Sequence, residues 1–379
     1  MQLETIRYRS PEGWAPAQLP ALDSQRTLVI LFGSSGMFDH PEAFTAVREA
    51  YGASCIIGCS TSGEIDGINV DDDSIVGAVV RFENTELRRA SAPIASAEGS
   101  SAAAEDIARQ LLRDDLRGVL VLSDGIDVNG SQLVAGLNAV LPPSVVVTGG
   151  LAGDGDRFQR TWTLHEGRPV TNRVSAVGLY GDRIQLGHGS KGGWDMFGPE
   201  RTVTRSRDNV LYELDGKPAL ELYKRYLGER AAELPASALL FPLSLRAGSD
   251  AEKRVVRTIL SIDESEQSMT FAGDVPEGHL AQLMRANFDR LITASSEAAM
   301  HTGSLDSGHT PTLAIAISCV GRRLVLRSRT EEELEAALES LPEDAVQIGF
   351  YSYGEISPFG TGSCDLHNQT MTLTTISES

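Results

Sequence analysis

Cysteine is scarce in this chain: four residues, Cys55, Cys59, Cys319 and Cys364, in 379. So few thiols make no dense disulfide framework, and three of them sit in apolar, strand-like surroundings where a reduced thiol packs as a small hydrophobe, so a reducing compartment is expected. Cys55 and Cys59 share a strand face, but no second Cys or His pair completes a zinc cage. Long apolar runs are also lacking. No window approaches the run of about 18 residues that a membrane helix needs, and the opening MQLETIRYRSPEGW alternates polar and apolar residues. The expectation is a soluble, cytoplasmic protein with no membrane partner. Basic runs are missing too. With 33 Lys and Arg against 52 Asp and Glu the formal charge is −19, which repels phosphate backbones and argues against nucleic acid. There is no C-x-x-C-H for covalent haem, no GxxxxGK[ST], and no GxGxxG followed by a helix and an acidic residue.

What is present is a globular composition, 41% hydrophobic and 22% charged, long enough for two cores. The first third alternates strand-like runs (27–32, 55–60, 74–82, 118–123, 145–150) with helical ones (41–51, 102–113, 131–141). In the second of these helices Ala104, Ile107, Ala108, Leu111 and Leu112 form one stripe. That rhythm predicts an α/β fold with mixed sheets and flanking helices. Shorter β segments follow from Thr161, and Asp215-Gly216 before Pro218 marks a junction, giving domains at 25–215 and 216–379. Beyond it, 278–300 reads as one amphipathic helix carrying Leu280, Leu283, Met284, Phe288 and Leu291 on one face. Thr330 to Glu333 has capping-box spacing before a second helix. Ser62-Gly63-Glu64-Ile65 and Tyr353-Gly354-Glu355-Ile356 end two apolar runs alike, a match that arises by chance or from an ancient duplication.

Three glycine-rich segments, 58–64, 149–155 and 187–194, each follow an apolar run and so read as turns. They either make tight turns alone or offer backbone N–H groups to a shared anion or carboxylate pocket. On the pocket reading Cys59, Ser60, Thr61, Ser62, Gly150, Asp154 and Trp194 are ligand-binding candidates, with Tyr353 and Asn368 beside the C-terminal motif. Glu64 and Glu355 are carboxylates at strand ends, placed either to meet a ligand ammonium or to pair with a structural arginine. His188, between glycines, and His367 are turn histidines or, alternatively, ligands to a small molecule or to a haem iron. Cys59 is a buried thiol or, less expectedly, a nucleophile.

The run Ile348 to Pro358 (IGFYSYGEISP) followed by Leu366 to Met371 (LHNQTM), with Ser318 to Arg323 (SCVGRR) and Tyr212 to Ala219 (YELDGKPA) upstream, resembles a FIST C domain. GCSTSGEI, VLSDGIDVNGSQLVAGL and GGLAGDG resemble a FIST N domain. The resemblance implies an intracellular sensory module for small ligands, amino acids among them. It is similar in size to stand-alone members that sense nitric oxide through haem b and regulate a histidine kinase. It also implies a separate output partner, a sensor histidine kinase or a cyclic-di-GMP enzyme, and admits a homo-oligomer. The turn holding His188 is longer than the family's, which weakens that residue's assignment. The expectation is therefore a ligand sensor rather than an enzyme, with a haem-free metabolite sensor and a Cys59 amide hydrolase as alternatives.

Overall fold

The structure, a computed structural model, describes the chain apart from residues 235, 250, 252, 304–310 and 361. It is a mixed α/β protein in which one strand pattern occurs three times. In the first unit Thr27–Ser34 runs parallel to Cys55–Thr61, Ser74–Arg81 returns antiparallel beside it, and Gln2–Arg9 closes the edge. The second unit repeats this with Leu116–Ser123, Val146–Leu151, Arg173–Tyr180 and Glu86–Pro93. The third uses Thr312–Cys319, Ala345–Ser352, Met371–Glu378 and Ile184–Lys191.

Each unit also gives a hairpin to a neighbour. Glu64–Asp66 of the first pairs with Ala345–Ser352 of the third, Thr163–His165 of the second with Cys55–Thr61 of the first, and Gly354–Pro358 of the third with Val146–Leu151 of the second. The exchange is cyclic, so the units are related by an approximate threefold axis. The likeness of 62–65 to 353–356 is one visible trace of it.

Strand alternation explains how three sheets share one centre. Leu28, Ile30 and Phe32 point inward, where they join Leu120 and Leu122 of the second unit and Ile315, Ile317 and Phe350 of the third in a common core. The intervening Val29 and Leu31 point outward onto a helix. Covered on both faces, these strands read as continuous apolar runs. The helices are α1 (Pro41–Ala50), α2 (Ser100–Leu111), α3 (Gly130–Val140), α4 (Ala219–Leu227), α5 (Phe288–Met300), α6 (Val320–Leu326) and α7 (Thr330–Leu338). Of these, α1 covers the first sheet, α2 and α3 the second, and α5 and α7 the third. The strands approach closely at Gly58, Gly149 and Gly349, which face Leu31, Val121 and Ala316; a Cβ at any of the three would overlap the facing carbonyl oxygen.

Residues 195–285, inserted in the third unit between its edge strand and α5, form a fourth sheet with α4 packed against it and a separate apolar core. Here the sequence reading needs correction. The stretch 278–300 is not one helix: Leu280–Arg285 is a strand paired with Leu243–Arg246, and α5 begins only after Asn287, whose side-chain oxygen accepts from Arg290 N at 3.3 Å. Ala281 and Leu283 are buried on the core side of this strand, a period of two that the helical reading of Leu280, Leu283 and Met284 concealed. The capping box at Thr330 is also not formed. Its hydroxyl donates back to Arg327 O at 2.6 Å, and Glu333 is wholly buried, bound to Arg322 at 2.7 Å and to the Tyr351 hydroxyl at 2.7 Å.

Candidate functional site

The strands Cys55–Thr61, Val146–Leu151 and Ala345–Ser352 leave their sheets side by side, and their first exit residues close a ring. Ser62 N donates to Tyr351 O at 2.8 Å, Gly153 N to Ser60 O at 2.9 Å, and Tyr353 N to Leu151 O at 3.2 Å. Side chains seal this end. Gly155 N donates to Ser62 Oγ at 3.0 Å and the Tyr353 hydroxyl to Gly155 O at 3.1 Å. Two of the three glycine segments therefore do meet, together with Ser62, Asp154 and Tyr353. Asp154 is already committed. It accepts from Ser35, from Arg157 at 2.6 Å, and from the N–H groups of Gln159 and Arg160, both at 3.1 Å. Burial alone would raise its carboxyl, but these bonds hold it below the usual range.

The remaining candidates are placed elsewhere. Cys59 lies in the shared core with its thiol pushed well up by burial, and Gly150 is packed in the strand beside Ile317 and Phe350. Ser60 Oγ accepts from Trp162 N at 3.0 Å. Glu64 and Glu355 occupy equivalent places in the first and third units and are solvated by hydroxyls rather than by arginine or ligand. Thr61 and Ser74 donate to Glu64, while Ser352 (2.7 Å) and Thr370 (2.8 Å) donate to Glu355. Burial pushes both carboxyls up to about 8 despite those donors. Both side chains are wholly buried. Trp194 is buried and donates to Gln369 O at 2.7 Å.

The third glycine segment is not a turn: 187–191 lies inside the strand Ile184–Lys191. His188 on that strand lines a cavity of about 550 Å³ together with His301, His367, Lys191 and Arg254. Desolvation lowers both His188 and His367, keeping the rings neutral at physiological pH. His367 Nε2 lies 3.0 Å from Ser357 O; a carbonyl only accepts, so this nitrogen carries the proton.

A second cavity, of about 300 Å³, went unseen in the sequence apart from Tyr353. It lies where the exit loops of the second unit (125–130, Leu151, Phe158), the start of α6 (Cys319 to Gly321) and the inserted sheet (Asn209, Thr258, Leu260, Phe271) converge. Phe158 and Tyr353 stack as one wall, ring centroids 4.4 Å apart and 15° from parallel. Phe158 holds φ at +53°, a region a bulky residue occupies only at a local cost in strain. Ile126, Phe158 and Leu260 are 37%, 47% and 44% exposed although large and apolar, so the cavity has an uncovered apolar rim. Among the described residues the lining holds no Asp, Glu, Lys, Arg or His. Thr258 is on the lining, and its Oγ1, itself shielded from the cavity, has no hydrogen-bond partner among the described residues. Behind Gly321 lies the Gln369 amide; it and the neighbouring Asn368 amide are buried and without partners among the described residues. The segments that build this site span some 230 positions, so the signal for it was non-local; the motif DGIDVNG at 124–130 marks one wall.

Comparison with known proteins gives a consistent outline. The FIST N domain family matches residues 27–217 and the FIST C domain family residues 219–358. An uncharacterized protein of Methanocaldococcus jannaschii is 21% identical over 365 residues, covering 83% of this chain; the chain spans 66% of that relative's length. A crystal structure of cyanuric acid hydrolase from A. caulinodans covers 99% of both chains at 10% identity and a TM-score of 0.35. The structure of PurLQS from Thermotoga maritima covers all of this chain and 72% of its own at 8% identity and a TM-score of 0.20. Likenesses this loose carry no argument about activity.

Proposed function

We propose, from the premise that this chain belongs to the FIST family, that it is a sensor rather than a catalyst: a small ligand is held in the cavity between the exit loops of the second unit, the start of α6 and the inserted sheet. The observation that carries this reading is the 300 Å³ space with its apolar rim, its stacked aromatic wall and an unpartnered Thr258 hydroxyl, shared by elements far apart in the chain. A ligand there touches the second unit, α6 and the inserted sheet at once. It therefore favours whichever arrangement of these parts closes on it, which is what a signal requires. The reader of that arrangement is a separate protein, a sensor histidine kinase or a cyclic-di-GMP enzyme, in the cytoplasm. Against the hydrolase alternative, Cys59 is enclosed in the core, and its raised thiol is a poor nucleophile.

Native mass spectrometry of the freshly purified chain tests this. Ala272 also lines the cavity, and the wild type is expected to retain a small molecule that Ala272→Phe, which fills the space, does not. Identical spectra from the two would remove the reading.

One observation favours a haem-binding form: three imidazoles, His188, His301 and His367, face one 550 Å³ cavity that Lys191 and Arg254 border. The residues fit the group, with a neutral imidazole for the iron and cations for the propionates; when bound, haem supplies an open iron position that takes nitric oxide. His188 is the better ligand, because the protonated Nε2 of His367 faces Ser357 O. Addition of haemin should give a Soret band that His188→Ala abolishes. No band in the wild type would exclude this form and leave the first intact.

A further inference from the structure

Resting on that sensor reading, we infer that the ligand of the 300 Å³ cavity is an uncharged, flat molecule of about two fused rings that makes one hydrogen bond to Thr258, and is not an amino acid. Charge is the first argument. In a chain with 22% charged residues, the described lining presents no carboxylate, ammonium, guanidinium or imidazole. Asp274, nearby, already accepts from Asn129 Nδ2 at 3.0 Å. An amino acid would bring both its charges out of water with no counter-charge on the wall, a cost that binding does not recover.

Shape is the second argument. The Phe158 and Tyr353 rings are stacked on each other, 15° from parallel, which leaves the outer side of the stack as a flat surface, with Phe271 also on the lining. Flat aromatic ligands gain from such faces beyond the area they bury. Size is the third. A dry cavity of about 150 Å³ takes up benzene, and the space here, about 300 Å³, is twice that. Polarity is the fourth. Thr258 Oγ1 is a buried hydroxyl with no partner among the described residues. A buried hydroxyl without a partner is unfavourable, and rotation of the Thr258 side chain toward a ligand N–H or O–H in the cavity removes the deficit.

Calorimetric titration of the full chain with indole and with L-tryptophan, which carry the same ring without and with the charged ammonium and carboxylate, tests the inference. Indole should bind, and tryptophan should bind at least about 10-fold more weakly. Thr258→Val should weaken indole about 3- to 10-fold while leaving the melting temperature unchanged or higher, since it removes an unsatisfied group. Ala272→Phe should abolish binding. Tryptophan binding as tightly as indole, and lost in Ala272→Phe, would overturn the ligand class but keep the sensor cavity. Indole binding that is absent in the wild type, or unaffected by both variants, would overturn the inference itself.

Discussion

Glu64 and Glu355 decide how this molecule responds to pH. Both are fully enclosed, both are raised to about 8 mainly by desolvation, and each is met by two hydroxyls and one backbone N–H. Because the folded value lies above the unfolded one near 4.5, the folded state prefers the protonated carboxyl. Their contribution to stability is therefore complete below about pH 4.5 and is lost as pH rises through about 8. Thermal melts of wild type, Glu64→Gln and Glu355→Gln should agree within a few degrees at pH 6. At pH 9 the variants should be the more stable, by an amount on the order of a few kcal/mol. A wild type as stable as the variants at pH 9 would contradict the raised values. The sequence showed these residues to be unusual, since a carboxylate directly after glycine at the end of an apolar run needs an explanation. It could not show that the explanation was Ser74, which opens a returning strand, and Thr370, which immediately precedes one, rather than neighbours in the motif.

At the level of elements, two contacts hold the third unit together. Gly349 lies against Ala316, where a Cβ would meet the carbonyl oxygen. Gly349→Ala should leave the protein insoluble or molten, observed as loss of the cooperative melt. Arg322, wholly buried on α6, ties that helix to Glu333 on α7 (2.7 Å), to Leu291 O on α5 (2.8 Å) and to Gly192 O (2.6 Å). Removing one partner strands the other's charge, so Arg322→Ala should cost about 3–5 kcal/mol in chemical denaturation. A loss under about 1 kcal/mol would mean that this buried pair contributes little to the stability of the fold. Elements with strong local signals were legible: α2 and α3 appear within two residues of their expected starts, and the central strands are where apolar runs placed them. Residues 280–285 were misread because Leu280, Leu283 and Met284 satisfy a helical period while pairing with Leu243–Arg246 makes the strand. Likewise the glycines near His188 suggested a turn. Pairing with Met371–Glu378 draws them into a strand, where Gly187 and Gly189 let the backbones of Thr302 and Ala298 approach.

Over the whole molecule, three copies of one strand pattern build three sheets around a shared core, with exit loops that meet at one end, and an inserted sheet from one copy caps part of that end. The α/β class and the family kinship were open to reading because they depend on local periodicity and contiguous motifs. The cavity was not, because Asn129, Phe158, Thr258, Phe271, Gly321 and Tyr353 become neighbours only through hairpin exchange and the inserted sheet. Amide hydrogen exchange with and without saturating indole tests the central claim most directly, since it separates the two cavities on one sample. Slowed exchange is predicted at 125–130, 151–158, 255–273 and 319–323, with 184–191 and 364–370 unchanged. Protection confined to 184–191 and 364–370, or none anywhere, would contradict the account.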